Sequence, residues 1–184
     1  YSPTKRNNMI VGDYNIETYK LENPTIIYSP DPPNSTCEKN WIPLPYNHED
    51  QTQYYIFKWN PLEIGKIENE RLKIVKTFEN REPFLNRCRG STIFHETNEG
   101  YLGVVHFCEE GYPRNYYHNL VLLDKSYKPL KYSQNCYFHK KSVEFCIGFH
   151  IKNDKYHFWI SNFDREPEEV IVDKSAFDVW FDIL

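Results

Sequence analysis

The chain of 184 residues has no apolar run approaching the ~20 residues that cross a bilayer, which excludes a membrane-spanning helix. Its first residues, Tyr1 to Asn8, have no hydrophobic core of a signal peptide. It also lacks a basic excess: 22 Lys and Arg stand against 26 Asp and Glu, for a formal net charge of -4. Neutralising phosphates along a nucleic acid needs surplus cations, so nucleic acid is not an expected partner. No CxxC pair occurs, and the five cysteines, Cys37, Cys88, Cys108, Cys136 and Cys146, each sit in or beside an apolar stretch. Buried thiols in a reducing compartment fit that pattern, and the expected location is the cytoplasm, including that of a host cell or a virus-associated setting. Glycine and methionine are scarce, at 7 and 1, whereas 15 Tyr, 12 Phe and 4 Trp make the chain rich in residues that favour strands. Those aromatics form either a sheet core or a platform that stacks on sugars or bases.

Long amphipathic helices are missing too, save for a helix-like pattern around Lys174 to Leu184. In their place, short apolar runs recur at Met9–Val11, Trp41–Leu44, Tyr54–Phe57, Leu72–Val75, Ser91–Phe94, Tyr101–Phe107, Asn119–Leu123, Phe145–Ile151, His157–Ile160 and Val170–Val172. Turn signals separate them, among them Asp31–Asn34, Asn98–Gly100, Asp124–Ser126 and Lys152–Asp154. Asp13–Asn15, Trp59–Leu62 and Asp164–Pro167 also read as turns. The fold class is therefore all-β. Val104-Val105, Val121-Leu122-Leu123 and Phe158-Trp159-Ile160 are apolar on both faces, so each sheet should be covered front and back. A β-propeller supplies that environment.

A weak repeat of about 50 residues supports this reading, the length of a four-stranded blade. It starts at Cys37-Glu38-Lys39-Asn40-Trp41, at Cys88-Arg89-Gly90-Ser91 and at Val143-Glu144-Phe145-Cys146, with Glu38, Arg89 and Glu144 in register. Charges at the start of a blade's innermost strand line a central channel, where ligands bind; the alternative is that they are solvated loop charges.

The residues resemble the five-bladed β-propellers of the mannosyl phosphorylase and hydrolase type, and more closely the related propellers of viral and bacterial proteins described as glycosyltransferases. The resemblance is carried by Glu38–Leu44, Tyr55–Gly65, Arg89–Ser91, Pro113–His118, Leu123-Asp124, Tyr127–Leu130 and Val143–Phe149. It implies a partial propeller of roughly three blades, divided as 1–33 (half a blade), 34–85, 86–140 and 141–184 (the last). Lys39-Asn40 looks like the family's phosphate-contacting pair, His106 is similar to its middle-strand histidine, and Asp164 resembles an aspartate that holds a sugar hydroxyl. The implied substrate-binding set is Glu38, Lys39, Asn40, Trp41, Arg89, His106, Arg114, Tyr117, His118, Glu144 and Asp164. The acidic-arginine motif that carries the family's general acid has no counterpart in Tyr1 to Pro33, so glycosidic bond cleavage by this chain unaided is not expected.

Two functions remain open. One is a carbohydrate-active domain, glycosyltransferase- or phosphorylase-like, that holds a sugar with a sugar phosphate or nucleotide-sugar and is completed by further blades. The other is a non-catalytic glycan-binding or scaffold propeller attached to a separate transferase domain, with Trp41, Trp59, Tyr116 and Tyr117 stacking on sugars. No cofactor is expected. A metal site on His95, His106 and His118 is the weakest alternative, because no Glu or Cys completes a ligand set.

Overall fold

Strand-forming sequence dominates, and a computed structural model describing residues 7–30, 37–109, 111–112, 114–139 and 142–183 resolves it into antiparallel sheets. The strands are β1 (Met9–Asn15), β2 (Lys20–Ile27), β3 (Ile42–Pro43), β4 (Tyr54–Trp59), β5 (Leu62–Glu68), β6 (Arg71–Phe78), β7 (Arg89–Gly90) and β8 (His95–Glu96). They continue with β9 (Tyr101–Glu109), β10 (Asn115–Leu123), β11 (Pro129–Ser133), β12 (Glu144–Lys152), β13 (Lys155–Asn162), β14 (Glu166–Asp173) and β15 (Trp180–Asp182). The only helical turns among the described residues are 3-10, at Pro83–Arg87 and Lys174–Ala176. None could cross a membrane.

The first sheet is β1-β2, the second β3-β4-β5-β6, the third β15-β11-β10-β9-β7 with β8 also on β9, and the fourth β12-β13-β14. Tight hairpins make this order possible. Asn69-Glu70, Asn153-Asp154 and Phe163-Asp164 each place two consecutive residues at positive φ, the conformation whose twist matches antiparallel strands.

Three apolar cores separate the four sheets in chain order. Ile27 with Met9 and Val11 packs on Trp41, Leu72 and Ile74, joining the first sheet to the second. Ile42, Ile56, Leu62 and Ile64 meet Phe94, Val105, Val121 and Leu123, joining the second to the third. Leu102, Val104, Leu120 and Leu122 meet Cys146, Phe149, Phe158 and Ile160, joining the third to the fourth. Val104 and Val105 therefore enter different cores, as do Leu122 and its neighbours Val121 and Leu123, which is why these strands are apolar throughout.

Several local expectations are corrected. Trp159 does not share the burial of Phe158 and Ile160: it lies on the outer face of the fourth sheet and is 39% exposed. Asp13–Asn15 is strand rather than turn, because a bulge between Val11 and Asp13 lets β1 continue. Ser91–Phe94 does not pair as a strand. The tail pattern is a 3-10 turn followed by β15, which joins the third sheet beside β11. Cys88 and Cys146 are buried thiols, whereas Cys37 is exposed. The turn signal at Asp31–Asn34 lies outside the described residues.

Packing is close at Gly103, where an added Cβ would stand 2.3 Å from the Phe94 ring; at Gly148 it would stand 3.0 Å from the outward-facing Trp159. Gly103→Ala is expected to destabilise by about 1–3 kcal/mol and to lower Tm by several degrees, with Gly148→Ala far milder. Thermal unfolding of the two variants checks this, and equal losses would contradict the packing described.

Candidate functional site

The approach to β3 is held from both sides. The Glu38 N–H donates to the Asn7 carbonyl at 3.0 Å, and the Trp41 indole Nε1–H donates to Glu38 Oε2 at 3.2 Å, which keeps that carboxylate buried. Asn40 adopts φ 63, a left-handed conformation that asparagine tolerates, and its Nδ2 donates to the Gly90 carbonyl at 3.0 Å. Gly90 is required there: a Cβ would fall 2.2 Å from Ile42 and 2.7 Å from the Asn40 carbonyl. This close backbone crossing brings Lys39, just before β3, to the same cavity as Arg89 on the third sheet.

Arg89 is paired in register with His106. Ser91 Oγ lies 2.8 Å from His106 Nδ1, the imidazole stacks on Tyr116 at 5.8 Å between centroids, and Phe145 meets its edge at 4.7 Å. Beside this group is a cavity of about 420 Å³ whose lining includes Glu38, Lys39, Asn40, Lys58, Asn86 and Arg89. Lys39, Lys58 and Arg89 are exposed cations, and the cavity's one carboxylate, Glu38, is engaged by Trp41. In a chain of net negative charge, this surface is locally positive. Ammonium, guanidinium and amide donors converging on one cavity can bind an anion with several oxygens.

Trp41 also lines this cavity, whereas the remaining predicted residues lie elsewhere. Glu144 is fully buried, and its two oxygens accept the N–H groups of Phe138 and His139 at 2.8 and 2.9 Å, so it clamps a loop. His118 is buried behind β12, where its Nε2 accepts the Cys146 N–H at 3.2 Å. Tyr117 occupies the opposite face of β10, stacked on Phe107 with its hydroxyl donating to Glu109 at 3.1 Å. Asp164 sits at φ 55 in the β13-β14 hairpin turn, and Arg114 is exposed just before β10. Trp41 and Trp59 line the cavity from its core side: both are buried, with edge-on contact to Phe57 and stacking on Phe94 respectively. His95 bonds the Phe149 carbonyl, separately from His106 and His118. Among the described residues no group of three or more His, Cys, Asp or Glu side chains is arranged to hold a metal.

Ser91, Lys58 and Asn86 were not foreseen as site residues. Ser91 follows Arg89-Gly90 directly and Lys58 precedes the Trp59-Asn60 turn, so position in the repeat was their only signal.

Burial, with the charges of Arg89 and then Lys39 adding to it, lowers the His106 imidazole from 6.5 to about 4. Burial, and secondarily His106, lowers His118 to about 3. Both histidines are neutral at pH 7 and can donate and accept hydrogen bonds. Since their folded values lie below the unfolded value, acid protonates the unfolded chain first; their contribution is complete above the unfolded value and declines as pH falls through 6.5 toward 4. Each contributes a slope of about 1.4 kcal/mol per pH unit within that window. Unfolding free energies measured across it should fall steeply with acid, and His106→Gln should make the fall shallower; an unchanged slope in that variant would contradict the assignment.

Among solved structures, the chain is similar to a β-1,2-mannobiose phosphorylase from Listeria innocua in complex with β-1,2-mannobiose, with a TM-score of 0.57 and 17% sequence identity over 76% of this chain and 45% of that one. The chain thus spans less than half the length of that phosphorylase. No family model and no curated protein matches the sequence. At this identity the likeness is one of fold: an all-β arrangement of the kind found in a carbohydrate phosphorylase.

Proposed function

We propose that this chain is a partial five-bladed β-propeller, carbohydrate-active in type, that holds a phosphate-bearing sugar in the cavity between its second and third sheets. The observation that carries the reading is the meeting of Lys39, Asn40 and Arg89 at that cavity, beside the neutral His106. Lys39 and Arg89 neutralise the phosphate and the Asn40 region orients it, while His106, buried behind Arg89, holds Ser91 without adding charge. The divisions 34–85, 86–140 and 141–184 correspond to successive blades, with β15 lent back to the preceding one.

Sheets that follow one another in chain order and share cores pairwise support the propeller. Its open ends are supported by the apolar outer faces of the first and last sheets, which expose Ile10, Tyr14 and Ile26 at one end and Ile147, Trp159 and Ile171 at the other. Further blades, in the same or a partner chain, would cover them. Catalysis by transfer or phosphorolysis would then need an acid from those blades. The reading of a binding module without turnover is favoured by one observation: the carboxylates Glu38 and Glu144 are both held in hydrogen bonds that serve the fold.

Isothermal titration with inorganic phosphate and with mannose 1-phosphate tests the proposal. Lys39→Ala and Arg89→Ala should each weaken binding about tenfold, and added salt should weaken it further. Binding indifferent to both substitutions would overturn it. Release of phosphate or sugar by the chain alone would favour the enzyme over the binding module.

A further inference from the structure

The 3-10 turn at Pro83–Arg87 has two sides. Leu85 and Asn86 face the cavity described above, whereas Phe84 and Arg87 line a second, open cleft of about 510 Å³ with Phe107, Tyr132, Gln134, Asn135 and Phe181. That volume is within the ~300–1,000 Å³ of small-molecule sites. The cleft belongs to the third sheet, and β15, by pairing with β11, supplies its far wall.

Four aromatic rings form a continuous surface. Phe84 stacks on Tyr132 at 4.4 Å and 12°, Tyr132 meets Phe181 at 5.3 Å, and Phe84 meets Phe107 edge-on at 5.9 Å. Phe181 nevertheless remains 46% exposed. The polar groups among these rings are held in place. Asn119, fully buried beneath, donates through Nδ2 to the Ser133 carbonyl at 2.7 Å and to Asn135 Oδ1 at 2.9 Å, which turns the Asn135 amino group away from it. The Gln134 N–H is bonded to the Val179 carbonyl at 3.0 Å, and the Arg87 guanidinium lies 4.4 Å over the Phe107 ring. Asn119 acts from behind the lining, so what it contributes to the cleft is the fixed orientation of Asn135.

We infer that this cleft is a second binding site, for a neutral saccharide. A pyranose has an apolar face for the exposed ring of Phe181 and a rim of hydroxyls for amide and guanidinium groups. An anion fits less well, because burial and then the nearby Glu82 raise the pKa of Tyr132, and Glu109 takes a hydrogen bond from Tyr117, so carboxylates stand around Arg87, the one cation among the described residues that line the cleft. The cleft shares no lining residue with the phosphate cavity, although the turn between them contributes to both.

Saturation-transfer NMR with β-1,2-mannobiose, cellobiose and chitobiose, followed by titration of those that bind, tests this site. At least one disaccharide should bind, and Phe181→Ala and Asn135→Ala should each weaken it about three- to tenfold, the range expected for losing a ring or amide contact. Both positions are at the surface, and unchanged unfolding temperatures confirm that the variants are folded. Lys39→Ala should leave disaccharide binding intact while weakening inorganic phosphate, which separates this site from the first. The inference is overturned if none of the three sugars binds, if binding ignores Phe181→Ala and Asn135→Ala, or if Lys39→Ala alone abolishes it. A proline-rich peptide that shifts the cleft resonances where no sugar does would also overturn it.

Discussion

The structure depends on the double burial of β9 and β10. Hydrogen bonds pair the two strands along nine residues, from Asn115↔Glu109 to Leu123↔Tyr101, and their side chains feed the cores on either side. A sheet with two apolar faces cannot stand in water, because each face exposes surface worth about 25 cal/mol per Å² on burial. It must be flanked by one sheet before it and one after it in the chain. The order of the four sheets follows from that requirement, and so does the proximity of the β3 approach to β7.

The candidate site lies at the seam between the second and third sheets. Gly90 permits the backbone of β7 to approach Asn40 and Ile42, and the crossing sets Lys39 beside Arg89 and His106. The same closeness keeps His106 neutral, since burial and two neighbouring cations all oppose its protonation. Charge is therefore confined to long side chains at the rim, while the imidazole and the Asn40 amide beneath are neutral and bonded to Ser91 and the Gly90 carbonyl. Carboxylates are drawn into the framework instead, Glu38 by an indole and Glu144 by two backbone N–H groups.

Much of this was legible beforehand where a residue's neighbours in sequence are also its neighbours in space. Paired runs such as Val104-Val105 announced sheets covered on both faces, and Lys39-Asn40 with Arg89 announced the cationic seam, because both signals lie at the start of a repeat. Register misled for Glu144. It heads β12 as Arg89 heads β7, yet its side chain turns to the 138–139 backbone, a choice made by the loop that happens to lie within reach. Trp159 misled similarly: Phe158 and Ile160 are inward, and strand alternation sends the residue between them out.

The sequence alone was enough to determine an all-β chain with strands apolar on both sides and a net negative charge, because composition and short-range patterning act through local backbone preference and total charge. Only the tertiary structure decided which charged residues share a cavity, that His118 and Tyr117 lie on opposite faces of one strand, and that β15 returns to the third sheet to wall an aromatic cleft. Those outcomes rest on contacts between segments far apart along the chain, such as Asn40 with Gly90 and Tyr132 with Phe181. Such pairings leave no periodic trace in the residues that make them.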